Sequence, residues 1–481
     1  MTILGLGPGG PAHLTRQAWH TLSQADEVYL RTGRHPTVAG LPAHLTRHTF
    51  DDLYETSADF ASVYGTIAER IVSLGARPEG VLYAVPGHPL VGELSVLRIL
   101  ARAQEKGLRV HLVEGLSFVE PVLSLLGING LSGLQLADAT DLAAALHPPL
   151  DPDRPALIGQ LYGHRLASEV KLTLMNSYPD EHPVTLVWAA GTDGGFKTTV
   201  PLYELDRDQV IDHLTTLFVP PLPHTGGLPA FQETVARLRA PDGCPWDQEQ
   251  THLSLRDNLL EEAYEVLAAL DAGDDDRLCE ELGDLLMQIV MHTQIATEEG
   301  MFRFADVIGQ IDAKLRRRHP HVFGDLKVEG TADVLRNWEA IKAREHAGLG
   351  EGEAPRSRLE GVPAILPALA RAQALGERAA RFDFDWPDLE GVLEKVNEEI
   401  TELRATEDPE GRAQELGDLL FSLVNVARWL EVDAESALRG TCDRFTDRYT
   451  KMEQIARNRG FDLVSLSLAE QDALWNEVKS L

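Results

Sequence analysis

Apolar residues in the second half of the chain recur at helical spacing and predict amphipathic helices. One predicted helix carries an apolar face in which successive members mostly lie three or four positions apart: Leu259, Ala263, Val266, Leu267 and Leu270. The next predicted helix has its own set: Leu282, Leu285, Leu286 and Ile289. The pattern therefore predicts an all-α second half.

The polar positions of these helices occur twice. The motif E-E-x-x-E at residues 261–265 is followed by E-L-G-D-L-L at residues 281–286. The same two motifs recur in the same order at residues 398–402 and 415–420. An internal repeat of this length indicates two related helical units.

The first part of the chain follows a different pattern, in which short apolar strands alternate with helices. Strands are predicted at residues 2–6, 27–30, 80–85 and 109–113, and helices at residues 60–74 and 90–106. This alternation is typical of an α/β domain. The predicted fold class is therefore multidomain, with an N-terminal α/β domain followed by two all-α helical bundles.

Stretches rich in proline or glycine set the expected domain boundaries. The predicted order is an α/β domain, a linker, the first repeat, a second linker and the second repeat. In residue numbers these are 1–218, 219–229, 230–345, 346–358 and 359–481.

Composition and charge narrow the class of protein. The 481 residues are 43% hydrophobic and 25% charged, which is ordinary for a chain that buries a core and long enough for about three domains. The net charge of −31 argues against non-specific binding of nucleic acid or of an anionic membrane. The three cysteines form no C-x-x-C pair, which fits a reducing compartment. With no signal peptide or membrane span in the sequence, we expect a cytoplasmic protein.

The carboxylates of the repeated helices are candidate metal ligands. Glu262 and Glu265 are three residues apart, as are Glu281 and Asp284, so each pair shares one helix face. Two such pairs facing each other need a counter-ion, and Mg²⁺ is a hard cation that takes oxygen ligands and keeps waters for a phosphate. A solvated acidic face would explain one copy, but two copies with the same spacing favour a metal site. The second copy consists of Glu399, Glu402, Glu415 and Asp418.

These motifs, together with the segment at residues 243–255, resemble the MazG family of all-α nucleoside triphosphate pyrophosphohydrolases. That segment reads G-C-P-W-D-Q-E-Q-T-H-L-S-L, and the resemblance extends over the C-terminal half. It implies Mg²⁺-dependent hydrolysis of (deoxy)nucleoside triphosphates to monophosphate and pyrophosphate. In that case the eight carboxylates are the catalytic and metal-binding residues.

Basic and aromatic residues recur after the acidic helices of both repeats. Arginine offers a fork that fits phosphate oxygens and lysine offers a point charge, so recurrence favours triphosphate contacts over a solvated face. The tryptophans are equally well explained by packing or by lining a nucleotide pocket. The candidate substrate contacts are Lys314, Arg318, Trp338 and Lys342, then Arg444, Arg448, Trp475 and Lys479, and Trp246 of the signature segment. The second repeat lacks a full counterpart of that segment, so the two sites need not share a substrate.

Three loops at the ends of predicted strands mark a second candidate site, at residues 5–10, 86–93 and 114–118. Ligands of open α/β sheets bind beyond the carboxyl ends of strands. The loops resemble those of the tetrapyrrole methylase family, which implies S-adenosylmethionine as cofactor. The implied contacts are Gly5, Gly7, Gly9, Pro86, Gly87, His88 and Ser117. The family commonly has P-G-D-P where this chain has P-G-H-P, and an acidic residue where it has Gly10, which argues against methyl transfer to a tetrapyrrole.

Three functions follow from these patterns. The leading one is a pyrophosphohydrolase that cleanses the nucleotide pool. The alternatives are a helical assembly or regulatory module that binds nucleotide without turnover, and a methyltransferase with an accessory helical half. The expected partners are nucleoside triphosphates and either a second copy of the chain or internal pairing of the repeats, without nucleic acid or membrane.

Overall fold

The structure is a computed structural model of the whole chain, in two compact units, Met1–Thr251 and His252–Leu481. The residues it describes are 1–56, 60–207, 210–331, 333–334, 336–338, 341, 357, 359 and 362–480.

The first unit begins with a parallel sheet of five strands in the order β3-β2-β4-β1-β5. Its strands are β1 Thr2–Gly5, β2 Glu27–Leu30, β3 Thr46–Thr49, β4 Leu82–Val85 and β5 His111–Val113. The helices beside it are α1 Arg16–Gln24, α2 Asp51–Thr56, α3 Phe60–Gly75 and α4 Leu94–Glu105. Successive residues of β1 pack into different hydrophobic cores, Ile3 on one face of the sheet and Leu4 on the other. Both faces of the sheet are therefore buried.

The predicted α/β fold is confirmed, and the four strands lie within a residue or two of their expected ends. The helix expected at residues 90–106 begins only at Leu94. Gly87 and Gly92 before it have φ of 66° and 69°, a left-handed backbone that favours glycine. The residues between them therefore form a loop at the sheet edge.

A second, mixed sheet follows in the order β6-β7-β10-β8-β9. Its strands are β6 Gln135–Asp138, β7 Ala156–Gly159, β8 Pro183–Trp188, β9 Phe196–Pro201 and β10 Thr215–Val219. The remaining helices of this unit are α5 Val119–Leu126, α6 Ala139–Ala144, α7 His164–Leu174, α8 Leu228–Arg239 and α9 Pro245–Glu249. The core of this half packs α7 against the sheet through residues such as Val170, Leu174 and Leu217.

The second unit is helical, as predicted. The first repeat contributes α10 Arg256–Ala272, α11 Asp275–Glu298, α12 Phe304–Arg318 and α13 Pro320–Phe323. The second contributes α14 Ala368–Ala380, α15 Leu389–Ala405, α16 Pro409–Trp429, α17 Ala434–Asn458 and α18 Leu468–Lys479.

Each repeat holds its acidic motifs on a helical hairpin. After α10, Gly273 takes the left-handed conformation (φ 65°), and the Asp274 carboxylate accepts a hydrogen bond from the Arg277 amide at the start of α11. Asp408 caps α16 in the same way, by accepting from the Gly411 amide. Short capped turns make the paired helices antiparallel and bring their acidic faces together. Within the described part of the chain, no helix combines the length and apolar character that a membrane span requires.

Candidate functional site

Three carboxylates of the first repeat meet between α10 and α11. Glu262 and Glu265 come from α10 and Glu281 from α11, and one oxygen of each lies within 4.8 Å of the others. Two oxygens on opposite sides of an octahedral Mg²⁺ are about 4.2 Å apart, twice the Mg–O distance. The group therefore has nearly the spacing that a magnesium ion requires.

The second repeat forms a matching group. Glu399 and Glu402 of α15 and Glu415 of α16 meet the same 4.8 Å limit. Glu399 is buried, and its Oε2 has no hydrogen-bond partner among the described residues. A buried carboxylate oxygen is costly without a partner, and an added cation would supply one.

The fourth acidic residue of each predicted set lies outside these groups of three. Asp284 and Asp418 follow Glu281 and Glu415 by three residues on the same helices. Their charges still act on the groups. Burial raises the pKa of Glu262, and the charges of Asp284 and Glu265 raise it further. Burial likewise raises the pKa of Glu415, together with the charges of Glu402, Glu399 and Asp418. Carboxylates that repel one another in this way favour a bound cation.

Each group carries a nearby cation that sequence reasoning missed, and the two cations come from different helices. In the first repeat Arg277 Nε lies 3.0 Å from Glu281 Oε1, four residues along α11. In the second, Lys395 Nζ lies 2.8 Å from Glu399 Oε1 and 3.0 Å from Glu398 Oε1, on α15. Their i,i+4 spacing was a readable signal. A comparison of the two repeats does not find it, because neither cation recurs: Asn258 occupies the position equivalent to Lys395.

The predicted substrate contacts are only partly brought together. The Arg318 guanidinium lies 5.7 Å from the ring centre of Trp338, and Lys479 Nζ lies 5.8 Å from that of Trp475. No ion pair within the described chain joins an acidic group of three to any of Lys314, Arg444 and Arg448. Lys342 lies outside the described residues. Phosphate binding by these side chains stays a prediction.

The signature segment forms the short helix α9 and the turn that follows it. Arg239 donates from Nη1 to the carbonyl oxygens of Asp247 and Gln250, which fixes the segment against the end of α8. Trp246 is 59% exposed and is available to a ligand. Within the same segment, the ring of His252 contacts His292 of α11, with 2.8 Å between their Nδ1 atoms.

The three loops of the first sheet meet at its carboxyl edge, as predicted from their positions. Gly7 and Gly87 exchange two backbone hydrogen bonds, of 3.2 and 2.8 Å. A Cβ on Gly5 would lie 2.5 Å from the Gly87 oxygen and 2.8 Å from the Gly115 nitrogen, so only glycine fits there. The third loop is fixed by Glu120, which accepts hydrogen bonds from the Ser117 amide and hydroxyl at 2.9 and 2.7 Å.

Two further contacts orient side chains at this edge. The Leu90 amide donates to His88 Nδ1 at 3.1 Å, which leaves the His88 Nε2 to carry the proton of the neutral ring. Arg31 Nε, just after β2, lies 3.2 Å from Glu93 Oε1 in a pair that sequence reasoning missed. Burial raises the pKa of Glu93 to about 7, against the opposing effects of Arg31 and Ser95. The edge therefore combines a glycine-lined side with a charged side.

Comparison with known families matches two parts of the chain. Residues 1–206 match the tetrapyrrole (corrin/porphyrin) methylases, and residues 250–323 match the MazG nucleotide pyrophosphohydrolase domain. The second match covers the hairpin of the first acidic group. That the second repeat is also a MazG domain remains a prediction from the internal repeat.

Individual relatives extend the similarity. The chain is 41% identical over 488 aligned residues to the uncharacterized protein YabN of Bacillus subtilis, covering 100% of this chain and 98% of the relative. It is 44% identical to the nucleoside triphosphate pyrophosphohydrolase/pyrophosphatase MazG of Thermotoga maritima, covering 52% of this chain and 95% of the relative. A crystal structure of uroporphyrin-III-C-methyltransferase from Thermus thermophilus aligns with 24% identity and a TM-score of 0.35, over 46% of this chain and 90% of the other. With nearly the full length of the Thermotoga relative covered at this identity, the chain belongs to the MazG family, in a form that also carries an N-terminal tetrapyrrole methylase domain.

Proposed function

We propose that the helical unit hydrolyses nucleoside triphosphates to nucleoside monophosphate and pyrophosphate, with Mg²⁺ held by the acidic groups. The observation that carries this is the recurrence of three carboxylate oxygens within 4.8 Å on both helical hairpins. The activity named for the Thermotoga relative supports it. Asp284 and Asp418, one helical turn further on, complete the proposed ligand sets.

The residues fit the chemistry of this reaction. A bound Mg²⁺ would neutralise triphosphate charge and lower the pKa of a coordinated water. In the proposed reaction a water oxygen would attack the α-phosphorus, the bond from that phosphorus to the α–β bridging oxygen would break, and pyrophosphate would leave with the electron pair. A carboxylate of the same acidic group orients the water and takes its proton. Basic side chains of the unit would balance the remaining negative charge.

Pyrophosphate release tests this proposal directly. The wild-type chain should release pyrophosphate from nucleoside triphosphates with Mg²⁺ and not with EDTA. The double variant Asp284→Asn/Asp418→Asn should lose nearly all activity, and each single variant should report the share of its own repeat. If the double variant is as active as the wild type, the metal-site assignment is wrong and both groups are solvated acidic faces. A chain that binds nucleotides but releases no pyrophosphate would instead be the regulatory module.

We further propose that the physiological substrates are unwanted nucleotides, so that the enzyme cleanses the nucleotide pool. A screen of common and chemically damaged triphosphates would test this. Higher kcat/KM for the damaged nucleotides is expected, and equal values throughout would contradict it.

A second proposal concerns the N-terminal unit, for which we propose binding of S-adenosylmethionine. It is supported by the methylase family match and by the meeting of three glycine-containing loops at the carboxyl edge of the sheet. The contacts would come from Gly5, Gly7, Gly9, Pro86, Gly87, His88 and Ser117. Calorimetry with S-adenosylmethionine and with its demethylated product tests binding, whereas a methyltransferase function requires transfer to an identified acceptor.

We also propose that the helical unit pairs with a second copy of itself. Each acidic group is formed by one two-helix hairpin, whereas metal sites in helical bundles are enclosed by facing helices from several sides. Apolar side chains on both α11 and α16 remain exposed, such as Leu282 and Leu416.

A further inference from the structure

One carboxylate of each acidic group is paired with a cation of the protein itself. In the first repeat Arg277 Nε lies 3.0 Å from Glu281 Oε1, and in the second Lys395 Nζ lies 2.8 Å from Glu399 Oε1. Glu281 and Glu399 are the most buried members of their groups, with side chains only 10% and 5% exposed. The cation therefore pairs with the carboxylate that has the least access to water.

The first-repeat cation acts on both helices of its hairpin. The hydrogen bond to Glu281 of α11 raises the pKa of Arg277, and the charge of Glu265 on α10 adds to this effect. Arg277 is thus a counter-ion of the whole group, which also holds Glu262.

The second-repeat cation does the same. Lys395 pairs with Glu399 of its own helix, α15, and its charge also opposes the rise in the pKa of Glu415 on α16, which burial and the neighbouring carboxylates cause. Both groups therefore contain one resident positive charge when no metal is bound.

Different residues supply this charge in the two repeats. Gly411 occupies the position equivalent to Arg277, and Asn258 the position equivalent to Lys395. The cation comes from the second helix of the hairpin in one repeat and from the first helix in the other. Equivalent acidic groups thus share a single positive charge, although they do not share the side chain that carries it.

Both pairs can be exchanged for a stronger partner. The side chains of Arg277 and Lys395 are 46% and 35% exposed, and each pair joins residues four apart on one helix. Ion pairs of this kind are weak, because water screens them and both side chains lose freedom. The cations can therefore leave the carboxylates without unfolding the hairpin.

A Mg²⁺ ion with a triphosphate would be such an exchange partner. The metal competes with the cation for the charge of the same carboxylate. A phosphate oxygen on a Mg²⁺ held by Glu281 or Glu399 would lie within about 4.2 Å of the carboxylate oxygen, twice the Mg–O distance. Arg277 and Lys395 already lie 3.0 and 2.8 Å from such an oxygen, so a rotation of the side chain brings them to the phosphate. Both residue types bind phosphate oxygens.

We propose that Arg277 and Lys395 are exchangeable counter-ions, which pair with the acidic groups in the absence of metal and transfer to the phosphate oxygens when Mg²⁺ and a nucleoside triphosphate bind. This inference rests on the proposed function for the metal and the triphosphate. Its consequence is cooperative binding: each group binds Mg²⁺ weakly alone, against the resident charge, and more tightly with nucleotide.

Calorimetry on the full chain tests the inference with the double variant Arg277→Gln/Lys395→Gln. Mg²⁺ is titrated without nucleotide, and the α,β-imido analogues of the four common nucleoside triphosphates are titrated at saturating Mg²⁺. We expect the Kd for Mg²⁺ alone to fall about three-fold or more, because the competing charge is gone. The Kd of the tightest-binding analogue should rise about ten-fold or more, because a charged hydrogen bond to phosphate is lost.

Two controls accompany the double variant. Arg277→Lys/Lys395→Arg keeps both charges and should restore both Kd values. Arg165→Gln removes a pair of the same spacing and the same 3.0 Å distance, Arg165 to Glu169, from the other unit and should change neither Kd. If the double variant fails to fold, which circular dichroism would show, the two single Gln variants provide the same test.

The direction of the Mg²⁺ effect distinguishes exchange from a fixed structural pair. Cations that only hold the carboxylates in position would give weaker Mg²⁺ binding in the double variant, and this result would overturn the inference. So would a change in only one of the two Kd values, no change in either, or a wild-type chain that binds none of the analogues.

Pyrophosphate release by the wild-type chain, measured in parallel, separates this inference from the proposed function. Hydrolysis by the wild type with unchanged Kd values in the double variant refutes the exchange alone. Both expected Kd changes in a chain that hydrolyses nothing refute the proposed function alone.

Discussion

Glu262 and Glu415 show how single residues prepare the acidic groups for a cation. Burial and the neighbouring carboxylates raise both pKa values above the ordinary 4.5, so the folded state binds a proton more tightly than the unfolded chain. Their contribution to stability is fully present below pH 4.5 and is lost as the pH rises through the folded pKa values. A metal that binds the ionised carboxylates would reverse this loss.

We therefore predict a pH-dependent effect of magnesium on stability. In EDTA, the wild-type chain should lose stability, relative to the double variant Glu262→Gln/Glu415→Gln, as the pH rises from about 4.5. The Tm increment from Mg²⁺ should grow over the same range, because protons and metal compete for the same oxygens. Thermal unfolding followed by circular dichroism between pH 4 and 8 measures both effects. If the Tm of the wild-type chain at pH 8 is the same with and without Mg²⁺, the metal assignment is contradicted.

At this scale the sequence predicted which carboxylates meet, because E-E-x-x-E and E-x-x-D fix helix faces through spacing alone. Six of the eight predicted carboxylates fall into the two groups of three. His252 and His292 are in contact although they lie 40 positions apart in the sequence. A local sequence pattern cannot predict a contact between residues so far apart along the chain. The Arg31–Glu93 pair likewise depends on β2 and β4 being neighbours, which is a property of sheet order.

At the scale of elements, loops rather than helices or strands define the candidate site of the first unit. The strands of the first sheet end in loops that pack backbone against backbone. Gly5 lies so close to the Gly87 oxygen that a side chain on Gly5 would not fit. The sequence predicted that these loops are ligand-binding, since glycines follow a strand. It misplaced the start of α4, because apolar residues from Leu90 onward continue the helical pattern through a turn that Gly92 requires.

A glycine pair tests the loop assignment. Gly5→Ala should abolish calorimetric binding of S-adenosylmethionine, because its Cβ would force the Gly87 and Gly115 backbones apart. Gly10→Ala is the matched control in the same loop, since a Cβ there meets nothing within 4 Å, and it should bind as the wild type does. Pyrophosphate release should persist in both variants because the acidic groups belong to the other unit. Equal binding by the two variants would show that the cofactor does not use this loop.

For the whole molecule, the question is what covers the apolar faces of the helical unit. Equivalent positions of α11 and α16 expose leucine or isoleucine in both repeats: Leu282, Leu286 and Ile289, and Leu416, Leu420 and Leu423, each between 39% and 48% exposed. Fully burying one such side chain is worth about 1.5–3 kcal/mol. Faces of this kind on the helices that carry the acidic groups indicate an interface that would also enclose those groups.

We therefore predict that the chain is a dimer in solution and that the dimer is the active form. Leu286→Glu combined with Leu420→Glu places a charge in each face and should give a monomer by analytical ultracentrifugation at micromolar concentration. Its pyrophosphate release should fall at least ten-fold, because each acidic group then stays open to water on one side. Leu131→Glu is the control, since Leu131 is 95% exposed in the other unit and should affect neither property. A wild-type chain that sediments as a monomer with full activity would rule out the interface between copies, and the open side of each acidic group would then have to be closed within one chain.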